Sequence, residues 1–319
     1  MKEILIWEFI ESHLKDNNSL ILTVVADHKK GSPGKQGFKM AVSSNGDTAG
    51  SIGGGIMEFN IINECRKLLK KNIPVCELKT LYHNTGKIAD RSGLICSGSQ
   101  TNLTISINKK DIKTIKVICN ALRENKKGII IFNSSGISFL PDRKNLPGFS
   151  FEYIGSDRWQ FMQSTGLNNV VYIIGGGHVG AAVCRILNLL DFYVIVYDSR
   201  KELTSIRNTA YADKTLKGSF KNLGNIIEDD SYIIIVTSGY ESDKDALIQV
   251  IKKNVKYIGL MGTKAKIRKI FSEMRTEGIS GELLKKVRAP IGLDINSDTP
   301  EEIAVSIAAE IIKERNSTC

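Results

Sequence analysis

The sequence predicts an α/β protein in two parts, the second built as a doubly wound parallel sheet. Three observations carry this prediction. An apolar strand at 170–174 runs into Gly175, Gly177 and Gly180 at Gly-x-Gly-x-x-Gly spacing, and then into a helix-patterned stretch. A second apolar strand, 192–197, closes on Asp198. From residue 169 onward, short apolar runs alternate with helical periodicity, as a parallel sheet with helices on both faces requires. Together these form a Rossmann-like, dinucleotide-binding pattern. It occupies only residues 168–319, which leaves 1–160 to a separate N-terminal α/β domain.

The bulk properties fit this division. A chain of 319 residues has room for two domains. Its 42% hydrophobic and 24% charged content is that of a soluble globular protein. No apolar run approaches the roughly 20 residues that span a bilayer. The N-terminus carries Glu3 and Glu8 within its apolar stretch and reads as an amphipathic helix, not a signal peptide. A cytoplasmic location is the default expectation. The net charge of +10 is spread along the chain and reads as a Lys-rich surface. No nucleic-acid-binding motif accompanies it. Six cysteines without a Cys-x-x-Cys pair, and only four histidines, argue against a structural zinc site or a disulfide framework.

In the first domain, strands are expected at 20–25, 39–43, 75–81, 103–107 and 128–132. Helices are expected at 56–70 and 111–125, and a hairpin turn at 134–136. The segment 155–168 reads as the linker. In the second domain, strands are expected at 170–174, 192–197, 231–237 and 256–260, with helices at 178–190, 242–253 and 264–276. A last helix starts at Thr299 as N-cap, with Pro300 at the first helical position and Glu302 closing a capping box.

The candidate sites follow from glycine placement. Gly175 allows the tight turn, Gly177 lets backbone approach a pyrophosphate, and Gly180 lets the helix pack on the sheet. His178 and Val179 begin that helix, whose N-terminal amides suit phosphate. Asp198 can accept hydrogen bonds from an adenosine ribose, which favours NAD over NADP; Arg200 nearby works against that preference. Thr237 and Lys264 stand at strand ends that open onto the same crevice. The alternative is a Rossmann scaffold without a working nucleotide site. In the first domain, Gly53, Gly54 and Gly55 precede a helix. They read either as an anion cradle or as a plain hairpin connection. The loop 29–39, which includes Lys35, is basic and glycine-rich. Cys96 lies among small polar residues and reads either as a soft ligand or sulfur acceptor or as a free structural cysteine.

Taken together, these residues resemble the XdhC/CoxI family, the accessory proteins of xanthine dehydrogenase and related molybdenum hydroxylases. The resemblance rests on Gly31 to Pro33, Lys39-Met40, Gly53 to Gly55 and the stretch 93–98 in the first domain. In the second it rests on 175–180, 257–262 and above all the long run 289–310. It implies a chaperone-like protein that binds the molybdenum cofactor (molybdopterin), protects it, supports its sulfuration and passes it to an apo-hydroxylase. A cysteine desulfurase as a second partner and a homodimeric state are also implied. Cys96 falls at the family's motif cysteine, which implies a metal or sulfur contact. Gly53, Gly54, Gly55 and Lys35 would hold the phosphate or pterin; Gly175, Gly177, His178, Val179, Gly180, Asp198 and Thr237 would hold a nucleotide or the dinucleotide form of the cofactor. The chain departs from the family pattern at Gly34-Lys35, at Ser97 and at Ser238. The competing readings are an NAD(P)-dependent oxidoreductase and a nucleotide-binding module without cofactor handling.

Overall fold

The computed structural model describes residues 3–82, 98–142, 148–155, 158–166, 169–200 and 210–317. The chain divides into two compact units, Met1–Leu167 and Asn168–Cys319.

The first unit contains α1 (Glu3–Lys15), β1 (Leu20–His28), β2 (Lys39–Ser43), β3 (Thr48–Gly50), α2 (Gly55–Lys70), β4 (Cys76–Tyr82), β5 (Ser99–Ile107), α3 (Ile112–Arg123), β6 (Gly128–Asn133), β7 (Gly136–Pro141), β8 (Phe149–Gly155) and β9 (Arg158–Thr165). The strands form two antiparallel sheets, ordered β3-β2-β1-β5-β4 and β7-β6-β9-β8. The central strand β1 is buried from Leu20 to Ala26, apolar except for Thr23, because both of its faces are covered. Leu20, Leu22 and Val24 pack with Trp7 and Ile10 of α1, Ile115 and Ile118 of α3, and Phe132 and Phe161 of the second sheet. Ile21 and Val25 face the other way, toward Met57 and Cys65 of α2.

The expected linker at 155–168 is instead largely β9, an inner strand between β6 and β8. Trp159 and Phe161 do alternate inward as a strand should. The next two inward positions, however, are the polar Gln163 and Thr165, which cut the apolar alternation short. Each is buried with a partner. Thr165 Oγ1 donates to Lys126 O at 2.9 Å, and Gln163 Oε1 accepts from Lys39 Nζ at 2.5 Å. Lys39 is itself buried; it pairs with Glu3 of α1 at 2.8 Å and donates to Gly37 O at 3.0 Å. This one ammonium therefore ties α1, β2 and β9 together.

The second unit contains β10 (Val170–Ile174), α4 (His178–Leu189), β11 (Tyr193–Asp198), β12 (Lys214–Lys217), β13 (Tyr232–Ile235), α5 (Tyr240–Val250), β14 (Tyr257–Leu260), α6 (Lys264–Thr276), α7 (Gly281–Lys285), β15 (Val287–Arg288) and α8 (Pro300–Ser317). Its six strands are all parallel and ordered β12-β11-β10-β13-β14-β15. Counted within the unit this is 3-2-1-4-5-6, the doubly wound order, with the switch point between β10 and β13. Tyr172 and Ile174 pack toward the α5 and α6 side. Val171 and Ile173 pack toward α4 and α8. Strands β12 and β15 went unpredicted because β12 is an edge strand of Lys214, Thr215, Leu216 and Lys217 without an apolar run, and β15 has two residues.

The run 289–310 is a structural clasp. Ile291 N–H donates to Leu260 O at 3.1 Å, and Leu293 N–H donates to Ser306 O at 3.2 Å. Ser306 Oγ returns a bond to Leu293 O at 2.5 Å. Glu310 accepts from Gly292 N–H at 2.9 Å and from the Tyr257 hydroxyl at 2.5 Å. The predicted capping box is present: Glu302 accepts from the N–H groups of Asp298 and Thr299, and Thr299 Oγ1 accepts from Glu302 N–H.

Replacing Lys39 leaves a buried acceptor and a carboxylate without their cation. Lys39→Ala should cost about 3 kcal/mol. The chain's two tryptophans, Trp7 and Trp159, both lie in the first unit. Tryptophan fluorescence during urea unfolding therefore reads that unit alone, and its midpoint should fall while the far-ultraviolet transition of the second unit stays in place.

Candidate functional sites

The crevice of the second unit opens at the carboxyl edge of the sheet, at the switch point where ligands of such sheets bind. Gly175, Gly177, His178, Val179, Asp198, Ser199, Arg200, Thr237, Ser238 and Met261 are among its lining residues, and its volume is about 300 Å³. The three glycines differ in what surrounds them. Gly175 has φ 113°, and a Cβ there would stand 2.6 Å from Val236 O. A Cβ on Gly180 would run into Gly175 O, so the first turn of α4 packs directly on the loop. A Cβ on Gly177 would meet nothing within 4 Å. Gly177 is also the N-cap of α4, without a side-chain cap. The first-turn amides of α4 are left for an anion approaching over Gly177.

Two carboxylates organise the crevice. Asp198 is buried at the end of β11, and its Oδ2 accepts from Gly176 N–H at 2.7 Å. Arg200 clamps it with Nε on Oδ1 at 2.9 Å and a terminal nitrogen on Oδ2 at 2.7 Å, and Arg200 N–H adds a bond to Oδ1 at 2.9 Å. Burial pushes the Asp198 carboxyl up, but Arg200 and the two backbone amides outweigh it and hold it below the usual range. A lowered carboxyl stabilises the folded loop above the ordinary titration range near 4, and the contribution fades as pH falls through the lowered value. The expected preference of Asp198 for a ribose diol meets an obstacle here, because its acceptor positions are already filled.

Asp243 of α5, fully buried, is the second carboxylate. It accepts from Thr237 Oγ1 at 2.5 Å and from Thr237 N–H at 3.2 Å, and pairs with Lys266 of α6. Burial pushes its carboxyl up against the pull of Lys266 and Thr237. Thr237 thus lines the crevice with its hydroxyl proton committed to Asp243. Lys264 begins α6 as an exposed residue and is not among the lining residues.

The first unit brings three motifs to one place. The loop 29–38 is fixed by Lys29 N–H on Ser99 O at 2.9 Å and Gly37 N–H on Val25 O at 2.9 Å. A Cβ on Gly34 would strike Ile52 O, one on Gly53 would stand 2.6 Å from Gly34 N, and one on Gly98 would stand 2.8 Å from Ser32 N. The fully buried Gln100 joins these loops. Its Oε1 accepts from Ser32 Oγ at 3.0 Å, and its Nε2 donates to Ile52 O at 3.0 Å and to Asn102 Oδ1 at 2.8 Å. Lys35 is exposed on the first of the loops. Cys96 lies outside the described residues.

The glycine turn 53–55 does not present an empty set of amides. Glu58 Oε2 accepts from Ile52 N–H at 2.8 Å, Gly54 N–H at 3.0 Å and Ser51 Oγ at 2.7 Å. Gly53 N–H goes to Ser51 Oγ at 3.2 Å. An internal carboxylate holds the place expected for a phosphate. Sequence reasoning missed Glu58 and Gln100. The signal for Glu58 was an acid in the first turn of a helix entered through glycine, where it can reach back to the loop amides. Gln100, at an inward strand position, gave no comparable signal. No group of three or more His, Cys, Asp or Glu side chains suited to a metal occurs among the described residues.

The strand order and the glycine turn at its switch point define a Rossmann-type domain joined to an antiparallel α/β unit. Residues 171–311 match the family model described as the XdhC Rossmann domain, and residues 13–79 match that of the XdhC and CoxI family. The chain belongs to the XdhC and CoxI family. It is 24% identical over 293 residues, 90% of its length, to the uncharacterized protein YqeB of Escherichia coli K12. It is 32% identical over 82 residues, 26% of its length, to a Bacillus subtilis 168 protein named as a probable subunit of xanthine dehydrogenase. These alignments span 42% and 23% of the two relatives, so the chain covers less than half the length of either. A solved structure described as a xanthine dehydrogenase from Bacillus halodurans shares the fold, with TM-score 0.75 and 20% identity over 99% of this chain and 96% of that one.

The glycine geometry yields a paired test. Gly177→Ala places a methyl in open space at the loop and should leave the unfolding midpoint within about 1 kcal/mol of wild type, while weakening nucleotide binding severalfold. Gly180→Ala forces the helix off Gly175 and should destabilise the second unit by about 2 kcal/mol. Circular dichroism melts and a nucleotide titration of both variants separate the two roles.

Proposed function

We propose that this chain is an accessory protein of a xanthine dehydrogenase-type hydroxylase that holds the molybdenum cofactor, supports its sulfuration and delivers it to the apo-enzyme. The observation that carries the proposal is the convergence of the loop 29–38, the glycine turn 53–55 and Gly98 on buried Gln100, in a chain of the XdhC and CoxI family. Cys96 stands two residues before Gly98 in the sequence. The cofactor would thus sit where a thiolate, a cationic loop and a closely packed turn share one neighbourhood.

The donor set suits this ligand. The cofactor, when bound, brings its own metal on a dithiolene, so the protein needs one soft contact and not a ligand cluster. Cys96 would supply that contact. Lys35, with Lys29 and Lys30, would meet the phosphate. The glycine turn would receive the pterin, because Glu58 Oε2 already occupies its amides while Oε1 takes none of those bonds. A carboxylate oxygen suits the N–H groups of a pterin edge better than a phosphate. The crevice of the second unit would bind a nucleotide through the amides of α4, the open approach over Gly177, and the residues His178, Val179 and Thr237. The client would be an apo-hydroxylase, a cysteine desulfurase would be the sulfur source, and the working form would be a homodimer in the cytoplasm. No helix among the described residues is long and apolar enough to cross a membrane.

The test is co-purification from a molybdenum-replete host, with pterin measured by fluorescence after oxidation and metal by mass spectrometry. Wild type should carry both. Cys96→Ala should lower the molybdenum content severalfold, and Glu58→Ala should lower the pterin content. If wild type, Cys96→Ala and Glu58→Ala all purify without pterin, the cofactor-handling role is wrong.

A further inference from the structure

Asp198 stands where a Rossmann domain grips the adenosine ribose, yet its carboxylate has no capacity left for a diol. Oδ1 accepts from Arg200 N–H and Nε, both at 2.9 Å, and Oδ2 accepts from Gly176 N–H and an Arg200 terminal nitrogen, both at 2.7 Å. Four bonds fill the roughly four lone-pair sites of a carboxylate. The Asp198 side chain is 3% exposed and that of Arg200 is 48% exposed. What this end of the crevice presents to a ligand is therefore the guanidinium. Arg200 spends two of its five side-chain N–H donors on Asp198 among the described residues. Ser199 and Phe220 line the crevice at the same end.

A ribose diol arriving here meets a filled acceptor. A phosphomonoester meets a cation already oriented by its bidentate partner, so little side-chain freedom is lost on binding. The guanidinium can take the phosphate with its remaining donors and keep its clamp on Asp198. We infer that the second unit selects an adenine dinucleotide whose ribose carries an extra phosphomonoester, NADP(H) over NAD(H). Arg200 reads the phosphate, and Asp198 is a positioning residue that holds both Arg200 and the glycine loop. This inference rests on the nucleotide reading proposed above and names the ligand class of that crevice.

Titration of the full chain with NADPH and NADH tests it, with 2′,5′-ADP, 3′,5′-ADP and 5′-AMP as competitors. The 3′,5′ compound represents the ribose phosphate of coenzyme A. NADPH should bind about tenfold tighter than NADH or better, as charge-assisted bonds to one phosphate provide. The 2′,5′ compound should be the strongest competitor. Arg200→Met should bring the NADPH/NADH ratio close to one, and Arg200→Lys should restore part of it; a cooperative melt and a native far-ultraviolet spectrum at the titration temperature show that both variants fold, although loss of the Asp198 partner lowers the midpoint. NADH binding as tightly as NADPH, or a ratio untouched by Arg200→Met, overturns the preference while leaving the nucleotide reading intact. Stronger competition by 3′,5′-ADP than by 2′,5′-ADP overturns the NADP(H) assignment. If no dinucleotide and no fragment binds, the nucleotide reading falls and the preference falls with it.

Discussion

Both sites depend on backbone packed directly against backbone. In the second unit, β10 can turn at the switch point only because Gly175 lies close to the end of β13, and α4 can begin only because Gly180 rests on Gly175 O. In the first unit, Gly34 lies on Ile52, Gly53 on Gly34, and Gly98 on Ser32. A single methyl at most of these points would push one loop off its neighbour. The hydrogen bonds are secondary to this closeness. Gln100 can join two loops to β5 only because they approach within the reach of one side chain, and Asp198 reaches Gly176 N–H only because the turn is tight.

The close packing also separates glycines that face protein from one that faces open space. Gly175 and Gly180 face protein, whereas Gly177 faces open space at the head of a 12-residue helix with no side-chain cap. A loop held firmly at both ends and bare in the middle is preorganised for a ligand, since little ordering remains to be done on binding. The run 289–310, which ties the family resemblance most firmly, lies elsewhere. Its hydrogen bonds return to Leu260, Tyr257 and its own residues. A long specific motif here marks a clasp that fixes α8 on the sheet.

The second unit was largely legible in the sequence because its central strands are buried on both faces and β10 runs straight into Gly175, so periodicity and turn chemistry point the same way. The first unit was legible wherever apolar residues faced inward and became unreadable where polar ones did. Strand β9 was hidden by Gln163 and Thr165, whose burial makes sense only once Lys39 and Lys126 are seen beside them. The roles of Gln100, Glu58 and Asp243 were hidden for the same reason. Each is a polar side chain satisfied by a partner remote in sequence or by a loop amide, and no local pattern announces such a bond. Asp198 was legible as the residue that closes β11 at the crevice, but its clamp by Arg200 depends on side-chain geometry that spacing does not carry.

The two units solve one problem in opposite ways. Each has a glycine turn whose amides are met by an internal carboxylate, Asp198 in one and Glu58 in the other. In the second unit the carboxylate is neutralised by Arg200 on the spot, and the helix amides beyond Gly177 remain uncapped. That crevice retains a positive character, as the proposed nucleotide site requires. In the first unit no such cation clamps Glu58 among the hydrogen bonds and ion pairs of the described residues, and its carboxylate takes two loop amides and the Ser51 hydroxyl for itself. In the proposed cofactor site that carboxylate would face the hydrogen-bond donors of the pterin, with phosphate left to the lysines of the neighbouring loop. An arginine beside the internal carboxylate of one glycine turn and not of the other is the difference from which the two proposed ligands follow, an anion in one unit and a hydrogen-bond donor in the other.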